Sequence, residues 1–105
     1  MLTDDAAEQA VLRILLADGS AFQRRLTTET LRSAGRVQID YAENVEQCLM
    51  ALSYCEPDVL IADWDIDDGA GLTLVKRIRA GEAGVAFRKL AIIMVATRNS
   101  ASDVQ

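Results

Sequence analysis

Two short apolar runs constrain this chain more than any other feature. Leu12 to Ala17 is closed by Asp18, and Val59 to Ala62 is closed by Asp63. Runs of this length, apolar on both faces, belong to strands buried in the middle of a parallel sheet. Parallel strands need crossover connections, and the intervening stretches carry the apolar spacing of amphipathic helices. In open α/β sheets, ligands sit outside the carboxyl ends of the strands. Two strands that each deliver an aspartate at that end therefore make a site if they are neighbours.

The order of elements comes from the same periodicities. Residues 1–10 read as a short leader. Val11 to Ala17 is a strand, Asp18-Gly19-Ser20 a turn in which Asp18 or Ser20 caps the next element, and Ala21 to Ala34 a helix. Phe22, Leu26 and Leu31 supply the helix's apolar side, Gln23, Arg24, Arg25 and Glu29 its wet side, and Gly35 the left-handed position that closes it. Val37, Ile39 and Tyr41 alternate with polar neighbours, as a half-exposed edge strand does. Asn44 caps the next helix with Gln47 as its capping-box partner, and Val45, Cys48, Leu49 and Leu52 form its buried stripe. Pro57 breaks the chain before the third strand, Val59 to Asp63. After an acidic turn reaching Gly71, Leu72, Val75 and Ile78 mark another helix, ending near Ala80-Gly81. Leu90 to Val95 is a fourth strand, apolar throughout and so expected to be central, and Ser100 to Asp103 reads as a new helix start. The pattern is βαβαβαβ, with helices on both faces of one sheet.

Composition removes several function classes. A chain of 105 residues, half of them hydrophobic, is expected to form one domain. A formal charge of −5, from 16 acidic against 11 basic residues, is the wrong sign for a nucleic-acid footprint. The absence of histidine rules out histidine acid–base catalysis, phosphohistidine chemistry on this chain and most zinc sites. Cys48 and Cys55 lie two helical turns apart, too far to bridge, and read as reduced core thiols in a cytoplasmic setting. The first nine residues lack the features of a signal peptide, and no apolar run approaches the ~18 residues of a membrane span.

With these segments assembled, the chain resembles the receiver domains of two-component response regulators, the CheY-like domains. The resemblance covers roughly residues 11–105. It rests on Pro57-Asp58-Val59-Leu60-Ile61-Ala62-Asp63-Trp64, with Gly71-Leu72 and Ile78-Arg79 after it, on Leu15-Leu16-Ala17-Asp18-Gly19-Ser20 with Arg24-Arg25, and on Ile92-Ile93-Met94-Val95. It implies a flavodoxin-like, doubly wound parallel sheet of order 2-1-3-4-5, of which this chain supplies strands 1–4. It also implies a signalling module rather than an enzyme. Asp63 would be the phosphoacceptor, charged by a histidine kinase or phosphotransfer protein. Mg²⁺ would be held by Asp18, Asp63 and the backbone carbonyl of Asp65, and a partner would be regulated through a conformational shift. The chemistry agrees: a carboxylate can attack a phosphoryl group, and Mg²⁺ prefers carboxylates and phosphate oxygens. Two carboxylates about 4 Å apart repel by roughly 4 kcal/mol at an effective dielectric near 20, which a divalent cation relieves.

The chain departs from the family pattern at three places. Gly19 stands where the second member of the acidic pair belongs, which should weaken Mg²⁺ binding. Asp67 and Asp68 are candidates to offset that loss by their charge. Ala96 holds the switch position that carries Ser or Thr in the family, with Thr97 next to it. Nothing corresponds to the fifth strand with its Lys-Pro pair, since Lys76 and Lys89, the only lysines, fall elsewhere. The expectation is a receiver truncated before that strand, whose fourth strand forms an exposed edge through which a homodimer can pair. Two other functions compete. One is a phosphorylation-independent pseudo-receiver that serves as an interaction or dimerisation module. The other is an aspartate-nucleophile hydrolase with Asp65 as its acid–base group, disfavoured for want of a cap domain. The acidic turn is not a calcium loop, because its glycine comes one residue late and Leu74 occupies the place of the final glutamate. Trp64 reads as a partly exposed contact residue, and Arg24 and Arg25 as a solvated face.

Overall fold

The computed structural model describes residues 10–96. In chain order these form β1 (Leu12–Ala17), α1 (Ala21–Ala34), β2 (Val37–Ala42), α2 (Val45–Cys55), β3 (Val59–Asp63), a tight turn over Ile66–Gly69, α3 (Gly71–Arg79), a 3₁₀ turn (Val85–Phe87) and β4 (Ala91–Val95). The four strands are parallel and ordered β2-β1-β3-β4. This is the doubly wound arrangement expected for a flavodoxin-like sheet. Residues 1–9 of the proposed leader and the helix start at Ser100 lie outside the described residues.

Period-two alternation sorts the strand side chains onto the two faces. Leu15, Ala17, Leu60 and Ala62 join the buried sides of α2 and α3 in the larger core, with Cys48, Leu52, Leu74 and Ile78 all fully buried. Ile14, Leu16 and Ile61 face the other way, against a smaller layer that includes Leu31 of α1. Asn44 caps α2 as expected, its side chain accepting the Gln47 N–H at 2.8 Å. The Gln47 side chain reaches back one residue further than a standard capping box, to the Glu43 N–H at 2.8 Å. In α3 the buried line is Gly71, Leu74 and Ile78, so the expected stripe is rotated: Leu72 is exposed and Val75 only half-buried.

Two further expectations fail on α1. Phe22 and Leu26 are 65% and 42% exposed, and the helix presents Thr28 and Leu31 to the sheet instead. The Thr28 hydroxyl finds a partner in the Tyr41 hydroxyl at 3.1 Å, which offsets the cost of its burial. Gly35 is extended (φ 169°), not left-handed, whereas α2 closes through a left-handed Glu56 (φ 45°). Leu90 to Val95, central in type by its apolarity and expected as an exposed edge for want of a fifth strand, has only β3 beside it among the described residues, and Ile93 is 51% exposed.

Burial pushes the Cys48 thiol up to about 12, with Cys55 adding to the shift, and Cys55 itself is raised by burial and by the Asp40 carboxylate. Alkylation depends on the thiolate, so at about pH 8 Cys48 should react at least roughly a hundredfold more slowly in the native chain than in denaturant. Equal rates, measured by mass spectrometry, would contradict the burial.

Candidate functional site

The register of the two central strands builds the site. Ala17 of β1 lies opposite Ala62 of β3, so the next residues, Asp18 and Asp63, emerge side by side at the carboxyl end of the sheet. Both are buried, at 1% and 7% exposure. Buried carboxylates are rare unless held or functional.

Each is held by the turn after it. The Asp18 N–H donates to the Ala42 carbonyl at 3.0 Å, and an Asp18 side-chain oxygen accepts the Ser20 N–H at 2.8 Å. Ser20 then caps α1, its hydroxyl accepting the Gln23 N–H at 3.2 Å. Asp63 accepts the Asp65 N–H at 3.1 Å, and the Trp64 N–H donates to the Val95 carbonyl at 2.8 Å, tying the end of β3 to β4. Burial raises the Asp18 carboxyl above the ordinary aspartate range. The Ser20 N–H opposes that shift, the charge of Asp63 adds to it, and Arg24 opposes it again. The charge of Asp63 thus acts on Asp18, and two neighbouring carboxylates favour a cation between them.

Sequence reasoning missed Arg24. Its guanidinium donates to the Asp18 backbone carbonyl at 2.6 Å and pairs with Glu43 at 3.6 Å, and its side chain is only 16% exposed. It is therefore no part of a solvated face but a clamp between the β1–α1 turn and the β2–α2 loop. The available signal was position: a residue in the first turn of a helix that starts just after a strand end can fold back onto that end. Gly71 stands out in the sequence for its place in a motif, but its packing is visible only in the fold. A Cβ there would lie 2.6 Å from the Trp64 carbonyl oxygen and 2.8 Å from that of Asp63.

Asp67 makes a contact of its own. Its carboxylate accepts the Val45 N–H at 2.8 Å, at the start of α2, and both Asp67 and Asp68 are exposed with left-handed backbones (φ 50° and 59°). Ala96 is exposed just past the β4 residue paired with Asp63, while Thr97 lies outside the described residues. Trp64, 47% exposed, borders the site.

The donor set suits a hard cation, since it consists of two carboxylates and the Asp65 carbonyl. It is a thin one. No group of three acidic or other ligating side chains that could hold a metal occurs among the described residues, and the Asp65 carbonyl already accepts the Gly69 N–H at 3.2 Å. Gly19 adds no side chain to this set, and two carboxylates with a backbone carbonyl are oxygen donors of the kind that Mg²⁺ takes. No helix among the described residues is long and apolar enough to cross a membrane.

Comparison with known proteins places this geometry. Residues 14–105 match the response regulator receiver domain. The chain is 32% identical over 94 residues to the chemotaxis protein CheY1 of Helicobacter pylori, covering 89% of this chain and 73% of that protein. It is 31% identical over 91 residues to the protein-glutamate methylesterase/protein-glutamine glutaminase of Moorella thermoacetica, but covers only 20% of that protein. Among solved structures, the chemotaxis protein CheY4 of Vibrio cholerae superimposes with a TM-score of 0.70 at 25% identity, over 91% of this chain and 77% of that one. A response regulator receiver protein from Pseudomonas putida gives 0.70 at 26%, over 90% and 75%. The acidic strand ends, the parallel order β2-β1-β3-β4 and these matches lead to one conclusion: the chain belongs to the receiver domains of two-component response regulators.

Proposed function

We propose that Asp63 accepts a phosphoryl group from the phosphohistidine of a histidine kinase or phosphotransfer protein. Receiver domains of this kind interact with such partners. The observation that carries the reading is the burial of Asp18 and Asp63 side by side at the strand ends, with the charge of one acting on the other. A carboxylate oxygen of Asp63 attacks phosphorus, the bond from phosphorus to the donor's imidazole nitrogen breaks, and an acyl phosphate forms. Asp18, Asp63 and the carbonyl of Asp65 would hold Mg²⁺, which when bound neutralises the charge gathered there. The clamp made by Arg24 keeps the Asp18 backbone in place. Phosphorylation would then shift the population of conformations of the surface beside α3 and β4, and a partner would read that shift.

The test is incubation with Mg²⁺ and a small phosphodonor such as acetyl phosphate. We expect a mass gain of one phosphoryl group in the wild type and none in Asp63→Asn. An equal gain in that variant, or no gain at all, would sink the reading. Self-association through β4 belongs to the same proposal, because Ile93 is half exposed on a strand with one described neighbour. Sedimentation should show a concentration-dependent dimer, and a monomer across the whole accessible concentration range would contradict it.

A further inference from the structure

The phosphoacceptor reading leaves one charged feature of the fold unused. A groove of about 450 Å³ lies between α1 and β2, lined by Arg24, Arg25, Thr28, Glu29, Arg32 and Tyr41. Its volume lies within the range of small-molecule sites. Three guanidinium groups face one carboxylate, a local excess of positive charge on a chain whose formal charge is −5. Arg24 is committed to Asp18 and Glu43. Arg25 and Arg32, in contrast, are exposed and make no ion pair among the described residues. Tyr41 is half exposed, and its hydroxyl is hydrogen-bonded to that of the buried Thr28 at 3.1 Å.

These parts suit one kind of ligand. The fork of donors on arginine matches the oxygens of a phosphate. A half-exposed aromatic ring, hydrogen-bonded at its hydroxyl, offers surface on which another flat ring can stack. We propose that the α1–β2 groove binds a phosphate monoester carrying a flat aromatic ring, the chemistry of a mononucleotide. Arg25 and Arg32 take the phosphate, Tyr41 takes the ring, and Glu29 limits affinity by competing for the same guanidinium groups. The groove shares Arg24 with the clamp on Asp18, but neither Asp18 nor Asp63 lines it, so the proposal does not rest on phosphotransfer.

Calorimetric titration of the whole chain with adenosine monophosphate tests it, with adenosine and inorganic phosphate as the two half-ligands. Binding in the millimolar range or tighter is expected, with each half-ligand at least about tenfold weaker. Replacing both exposed arginines, Arg25→Ala with Arg32→Ala, should weaken binding at least about tenfold. Glu29→Gln should tighten it by roughly a few-fold, a gain that an unfolded variant cannot mimic. Tyr41→Phe should retain the ring contribution and Tyr41→Leu should lose it. Asp63→Asn should bind like the wild type, which separates this groove from phosphate lodged at the acceptor. The proposal is overturned by no binding at about 10 mM, by indifference to the double arginine substitution, by inorganic phosphate binding as tightly as the nucleotide, or by loss of binding in Asp63→Asn.

Discussion

Gly71→Ala is expected to lose about 3 kcal/mol of folding stability, near the top of the range for overpacked sites. The cause is contact, not backbone conformation, since Gly71 is not among the glycines with positive φ. The added carbon would lie 2.6 Å from the Trp64 carbonyl oxygen, 2.8 Å from that of Asp63 and 2.8 Å from Cε of Met94. A methionine tip can move, but the two carbonyls belong to the backbone that carries the acceptor. The Gly71 N–H also donates to the Trp64 carbonyl at 3.1 Å, so the strand end cannot retreat without losing that bond. For a domain of this size the melting temperature should fall by roughly 12–24 °C. Gly35→Ala is the matched control. Nothing lies within 4 Å of its added carbon, and its backbone is extended, so its stability should stay within about 0.5 kcal/mol of the wild type. Calorimetric melting of the two variants checks the pair, and equal melting temperatures would refute the packing argument.

Gly19→Asp should tighten Mg²⁺ binding by at least about tenfold, or ~1.4 kcal/mol, by adding a third carboxylate to a two-carboxylate site. Gly19 is outside the left-handed region, and its added carbon would sit 3.2 Å from the Glu43 carbonyl oxygen, so the β2–α2 loop has to yield by a few tenths of an ångström to take the side chain. The same substitution should destabilise the metal-free chain by roughly 1 kcal/mol, through repulsion among three neighbouring carboxylates. Added Mg²⁺ should then stabilise the variant more than it stabilises the wild type. Trp64 is the only tryptophan and adjoins Asp63, so its fluorescence is a direct readout of the titration. Unchanged affinity would show that a carboxylate at position 19 does not reach the pair.

The legible parts of this molecule are those governed by near neighbours in the chain. The strand ends at Asp18 and Asp63, the Asn44 cap and the buried side of α2 all come from periods and caps that span a few residues. The errors have a common origin. Helical spacing assigns Phe22 and Leu26 to a core because it defines a stripe but does not fix which way the helix is rolled on the sheet. Leu72 is misassigned by one position in the turn of α3 for the same reason. The left-handed residue expected to close α1 at Gly35 is absent there, whereas α2 is closed by a left-handed Glu56, whose N–H donates to the Leu52 carbonyl.

An α/β sheet of parallel strands with two carboxylates at its carboxyl edge was written into the chain, because apolar runs bounded by aspartates impose their own geometry locally. Only the folded molecule decided that Arg24 closes over Asp18, that Asp67 bonds to the start of α2, and that Gly71 is pressed against the backbone of the acceptor. Those outcomes join residues distant in sequence or elements whose rotation is free until they pack. Their energies come from contacts that exist in the tertiary structure and have no counterpart in the spacing of the residues.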